Sequence, residues 1–181
     1  MTNLEIIKQL EQEIGKKLKQ ISLDKINSSY DNGYAVDENN NVIGLNLDDS
    51  ELSNIPNALI NLKNLQILSL YDNKIAELPV SFAQLQNLSD LNLWNNPLKE
   101  LPAWFGQLQN LSVLCLQNNQ LKELPVSFGQ LQNLSILYLR GNQLKELPAW
   151  FGQLQNLSEL WLNENQLKEL PAWFGQLQNL S

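Results

Sequence analysis

After residue 41 the apolar positions fall into a fixed rhythm. The segment LQILSLYDNKIAELPVSFAQLQN, starting at Leu65, recurs from Leu88, Leu111, Leu134 and Leu157, and in weaker form from Val42, always 23 residues on. Six full repeats fill 42–179, and a seventh begins at Leu180. Within each, the L-x-L of Leu68-Ser69-Leu70 alternates with period two, which predicts a short strand with both leucines on one face. The next apolar residue, Ile75, comes five positions later, breaks that period and ends the strand. Asn73 lies between and is expected to bond backbone groups of its own and the neighbouring coil. Its column reads Ser50, Asn73, Asn96, Asn119, Asn142 and Asn165. Pro56, Pro79, Pro102, Pro125, Pro148 and Pro171 open the return segment, where a fixed φ and a missing N–H suit the first residue of a short helical turn. One such coil cannot bury its own leucines. Stacked coils bury them, with parallel strands about 4.8 Å apart.

Residues 1–41 read as a cover for the first coil. Leu4, Ile7, Leu10, Ile14, Leu18 and Ile21 recur at helical spacing with Ile6 on the flank. Thr2 and Glu5 fit a capping box. Tyr34–Val36 and Val42–Leu47, joined by Asp37-Glu38-Asn39-Asn40-Asn41, are expected to pair as a hairpin leading into the first repeat. Asp37-x-Asn39-x-Asn41 begins like a calcium loop, but Val42 stands where the sharp turn needs glycine and Asp48 where a bidentate Glu is required, so a plain turn is expected.

The repeat L-x-x-L-x-L-x-x-N-x-L-x-x-L-P-x-x-F-x-x-L resembles the leucine-rich repeat consensus over the whole of 42–181. With one Leu-Pro per 23 residues it is similar to Ras-scaffold repeats and to the repeat region of bacterial Roco proteins. The resemblance implies an α/β right-handed solenoid, a horseshoe arc with a parallel concave β-sheet and an N-terminal helical cap. Two regions are expected: the helix and hairpin cap at 1–41 and the solenoid at 42–181. In those families the concave face binds a partner protein and the repeats do no chemistry. The chain carries no GTPase motif, so no such activity transfers to it.

Composition narrows the function further. The 181 residues include no histidine, which removes the usual general base and the commonest metal ligand. A single cysteine, Cys115, allows neither an intrachain disulfide nor a cysteine zinc site. Nineteen acids against twelve bases give a net charge of -7, which repels phosphate backbones and anionic lipid. Neither a glycine-rich phosphate loop nor a dinucleotide fingerprint is present. An acid pair such as Asp48 and Asp72 is expected on an open sheet, where nothing raises a pKa. These features point away from an enzyme, cofactors, metals, nucleic acid and membranes. The lone thiol and an N-terminus without an apolar leader fit a cytoplasmic setting.

Strand alternation defines three outward columns: Gly44, Ile67, Asp90, Val113, Ile136 and Glu159; Asn46, Ser69, Asn92, Cys115, Tyr138 and Trp161; and Asp48, Tyr71, Trp94, Gln117, Arg140 and Asn163. They vary while the scaffold letters do not. Tyr71, Trp94, Tyr138 and Trp161, with Ile67, Val113, Ile136 and Arg140, form the candidate partner-binding field, because large aromatics and Arg anchor interfaces. Asp48, Asp49, Asp72, Asp90, Glu159 and Glu164 give it an acidic rim suited to a basic protein or peptide. Trp104, Trp150 and Trp173 are expected to pack on the return side, Trp150 against Trp173. The Lys-Glu pairs at 99–100, 122–123, 145–146 and 168–169 predict a solvated face with weak ion pairs. The last repeat equals earlier ones letter for letter and has no polar cover. That opens a second reading, an assembly segment that forms a homo-oligomer through this end, or a piece of a longer Roco-like signalling protein.

Overall fold

The computed structural model describes residues 1–28 and 31–180. After helix α1 (Asn3–Ile14), eight strands follow in chain order: β1 (Lys19–Gln20), β2 (Gly33–Val36), β3 (Val42–Asn46), β4 (Ile67–Ser69), β5 (Asp90–Asn92), β6 (Val113–Cys115), β7 (Ile136–Tyr138) and β8 (Glu159–Trp161). They form one sheet in that order, parallel throughout except for the antiparallel pair β2–β3. From β3 to β8 the register advances by 23 residues per strand, so Leu45, Leu68, Leu91, Leu114, Leu137 and Leu160 lie side by side. The repeat period is thus the structural period, and the fold is the stacked α/β solenoid.

All seven apolar positions of repeats two to five are buried. The sixth repeat, with no complete coil after it, is looser: Leu170 is 56% exposed and Phe174 half-buried. Each proline sits one residue before the 3₁₀ turn rather than as its first residue. Pro79, Pro102, Pro125 and Pro148 keep ψ extended, between 150° and 157°, and their carbonyls accept the first turn bond, as from Phe82 N and Phe105 N.

The asparagine column bridges coils as its position implies. Asn96 Nδ2 donates to Leu70 O of the preceding coil at 3.0 Å and to Leu93 O of its own at 3.2 Å, and its Oδ1 accepts from Ile75 N at 3.1 Å. Asn73, Asn119, Asn142 and Asn165 repeat this pattern. A second ladder, from Asn87, Asn110, Asn133, Asn156 and Asn179, donates to the carbonyl 24 residues back. A serine ladder (Ser89, Ser112, Ser135, Ser158) does so 23 back.

On the return side Phe82, Trp104, Phe105, Phe128, Trp150, Phe151, Trp173 and Phe174 form an unbroken ring ladder with centroids 5.8–6.2 Å apart. Trp150 and Trp173 therefore do not stack on each other. Phe151 lies between them, 5.8 Å from each. Where Ser127 replaces the tryptophan, Phe105 and Phe128 stack directly at 5.9 Å and 5°, and the two turns close up. There a Cβ on Gly106 would collide with the Ser127 carbonyl, whereas one on Gly152 would lie 3.4 Å from the Trp173 ring. Gly106→Ala should therefore cost about 1–3 kcal/mol. Gly152→Ala should be near neutral, and Ala83 already occupies this column beside Trp104. Urea unfolding of the two variants checks this, and equal midpoints would refute it.

The cap departs from the helical spacing in three ways. Helix α1 ends at Ile14 with Gly15 at φ 67°, so Leu18 and Ile21 lie beyond it. Its buried residues are Ile6, Ile7 and Leu10, while Leu4 is exposed. Ile6 is thus on the packed face and Leu4 off it, because the helix docks against the first return turn, Asn57–Asn61. The Thr2–Glu5 capping box is present. The hairpin strands are β2 and β3, and the turn between them is closed by Asp37, whose carboxylate accepts from Asn39 N, Asn41 N and Asn41 Nδ2. The Lys-Glu pairs are exposed but make no ion pairs among the described residues.

Candidate functional site

The three outward columns are in register across the sheet: Ile67 beside Asp90, Val113 beside Ile136, and Tyr138 beside Trp161. One part of the outward face is not free. The segment around the 3₁₀ turn Leu23–Lys25 folds over the first coil. Asn46 Nδ2 donates to Ile26 O at 2.6 Å, and a Cβ on Gly44 would meet Ile26 Cγ1 at 2.7 Å. Gly44 and Asn46 are therefore buried rather than open, and Ser69 is buried as well. Asn27 reaches further, donating to Asp90 at 2.9 Å.

What remains open divides into two grooves that share Trp94. Both are shaped by tilted aromatic pairs, Tyr71–Trp94 at 4.9 Å and Tyr138–Trp161 at 4.7 Å. The first groove, about 470 Å³, lies between Tyr71, Trp94, Asn27 and the acids Asp48, Asp49 and Asp72. The second, about 450 Å³, is lined by Trp94, Tyr138, Arg140, Trp161, Gln117 and Asn118. Trp94 (39%) and Trp161 (45%) are the most open large apolar side chains on the sheet face. Ile67, Val113 and Ile136 are half-buried in the first column and line neither groove. Five of the eight candidate residues, Tyr71, Trp94, Tyr138, Arg140 and Trp161, thus line the grooves.

The acids play different parts. Burial raises the pKa of Asp48, contrary to the expectation for an open sheet, although Ser69 Oγ (2.6 Å), Tyr71 N (2.9 Å) and Asn46 Nδ2 (3.1 Å) all donate to it. Those bonds make it an internal strut. Asp49 and Asp72 are exposed and adopt positive φ, which Asp and Asn tolerate best among non-glycine residues. Glu164 takes the same conformation, which is costlier for its longer side chain, and is held at 2.6 Å by Arg140. Glu159 accepts from Tyr138 OH at 2.9 Å; burial and this bond push the tyrosine pKa up to about 12. Burial and the nearby Asp90 also push the Cys115 thiol up to about 12, so it stays protonated at neutral pH.

Strand alternation did not single out Gln117. It is 7% exposed and lines the second groove, and its Oε1 is buried with no hydrogen-bond partner. The sequence signal was its column, between Trp94 and Arg140. No sequence signal placed Asn27 and Ser28 at the first groove. Among the described residues no cluster of metal-ligating side chains occurs, and no helix is long and apolar enough to cross a membrane.

Residues 88–181 match the family described as leucine-rich repeat region, and residues 40–98 match leucine rich repeat. No curated protein matches the chain. Among solved structures, the chain is similar to the ectodomain of the Arabidopsis receptor kinase HAESA in complex with an N-terminally extended IDA peptide hormone. The TM-score is 0.79 at 30% identity, over 98% of this chain and 32% of that one. It is also similar to the ectodomain of GASSHO1/SCHENGEN3 from Arabidopsis thaliana in complex with CASPARIAN STRIP INTEGRITY FACTOR 2. There the TM-score is 0.67 at 34% identity, over 75% of this chain and 17% of the other. For an internalin from Listeria monocytogenes the TM-score is 0.63 at 27% identity, over 70% and 36%. The chain thus spans about a third or less of the two receptor ectodomains. With its 23-residue strand register, its inter-coil asparagine ladder and these matches, the chain belongs to the leucine-rich repeat family.

Proposed function

We propose that the chain is a non-catalytic binding module that holds a protein or peptide segment against its concave sheet face. The observation that carries this is the pair of grooves walled by Tyr71–Trp94 and Tyr138–Trp161, where aromatic surface stays open on an otherwise well-packed scaffold. The similar HAESA ectodomain, solved with a peptide hormone, supports the reading. Neither groove encloses a reactive group: the one thiol is held protonated, and the buried acid is consumed by internal hydrogen bonds.

Replacing Tyr71, Trp94, Tyr138 and Trp161 together by alanine tests this. Because aromatic anchors each contribute about 2 kcal/mol or more, the quadruple variant should bind isolated ligands at least ~30-fold more weakly. Its circular dichroism spectrum should be unchanged, since none of the four belongs to the leucine core. Undiminished binding by the folded variant would overturn the concave site.

A further inference from the structure

The two grooves differ in chemistry, and Trp94 joins them into one track across the coils. In the first, exposed Asp49 and Asp72 stand beside two aromatic rings, an environment for a cation that meets both carboxylates and a π face. In the second, three aromatic rings surround a floor formed by Gln117. This side chain is over nine-tenths buried, and its Oε1 accepts from nothing. That acceptor is already shut off from solvent and unpaired in the free protein, so a purely apolar ligand leaves its cost in place. A ligand that brings an N–H along with its apolar side chain satisfies it.

Spacing links the two. Tyr71 and Tyr138 belong to the second and fifth coils. Three strand steps of about 4.8 Å amount to roughly 14 Å, or about four residues of extended chain. Side chains four apart in an extended segment point to the same side.

We propose that the concave face selects an extended peptide bearing a lysine or arginine and a large apolar residue about four positions apart. The cation lodges between Asp49, Asp72 and the Tyr71–Trp94 pair. The apolar side chain seats against Trp94, Tyr138 and Trp161 while a ligand N–H donates to Gln117 Oε1. This specificity rests on the binding reading above.

The test is selection of displayed random peptides, about twelve residues long so that they span the sheet, on the full chain. The enriched sequences should share a basic and a large apolar residue about four apart, in either chain direction. Asp49→Asn with Asp72→Asn keeps side chains that tolerate positive φ; it should weaken a synthetic enriched peptide by roughly 10-fold at low salt and far less at high salt. Gln117→Leu should weaken the same peptide by roughly 3–10-fold while leaving thermal stability equal or higher, because it removes an unpaired buried acceptor. A purely structural glutamine would not split the two readouts in this way. Enriched peptides that lack either residue, or that these variants bind unchanged, overturn the specificity. If the quadruple alanine variant loses such peptides, the binding face stands and only the specificity fails. If it retains them, the face itself is wrong. Absence of any enrichment counts against both.

Discussion

An Asn119→Leu variant is expected to lose about 2–4 kcal/mol of stability, although leucine has the same branched heavy-atom skeleton. Asn119 Oδ1 accepts from Leu98 N at 3.2 Å, and its Nδ2 donates to Leu93 O, Leu116 O and Gln117 O at 2.9–3.2 Å. The asparagine is 6% exposed, so water does not stand in for its side chain. Leucine satisfies none of these backbone groups. Leu93 O, Leu116 O and Gln117 O each keep a second donor (Asn96 Nδ2, Asn142 Nδ2 and Asn95 N), but Leu98 N is orphaned in the interior, at a cost of about 1–3 kcal/mol on top of the lost bonds. Water replaces such bonds only where it has access, which sets up an internal control. Asn165 makes the equivalent bonds to Leu139 O, Leu162 O and Leu144 N but is half-exposed in the last full coil. Asn165→Leu should therefore cost about 1 kcal/mol. Urea denaturation followed by far-ultraviolet circular dichroism measures both. Equal losses at the two positions would show that propensity, rather than desolvated backbone, sets the cost.

Phe128→Ala should cost about 3–5 kcal/mol. Phe128 is fully buried, stacked on Phe105 and in contact with Trp150 at 5.9 Å each, so its removal breaks the ring ladder in mid-solenoid. A solenoid is stabilised by contacts between neighbouring coils, so a lesion there uncouples the coils on either side. The variant should unfold in a broadened or two-step transition in place of a single cooperative one. Phe174→Ala, at a half-buried ring with one tryptophan contact, should cost about 1–2 kcal/mol and leave the transition shape intact. Calorimetry with denaturant titration separates the cases. A single sharp transition for Phe128→Ala would refute coil-by-coil coupling.

The aromatic field was legible in the repeat because strand alternation alone sends Tyr71, Trp94, Tyr138 and Trp161 outward. Their pairing follows from register, since Tyr138 and Trp161 are strand partners. The aliphatic members of the field stand apart from the aromatic ones for a related reason. Ile67, Val113 and Ile136 share the outward side, but on a narrow sheet the first column is half-covered and stands outside both grooves. The Trp150–Trp173 contact failed because a one-residue offset puts the phenylalanine of one coil between the tryptophans of successive coils.

By itself the sequence determined everything that repeats: the coil length, the buried leucine columns, the asparagine bridges and the outward columns. Each residue of a stacked repeat meets the same neighbours about 23 positions away, so periodicity in the letters is periodicity in space. Only the tertiary structure decided what has no fixed interval. The contact of Asn27 with Asp90 spans 63 residues, the segment of Leu23 and Ile26 closes over Gly44, and the open face is thereby cut into an acid groove and an apolar one over an unpaired Gln117. Such contacts arise from how a non-repeating cap docks on a repeating surface, and burial and hydrogen-bond satisfaction settle that docking only once the chain has folded.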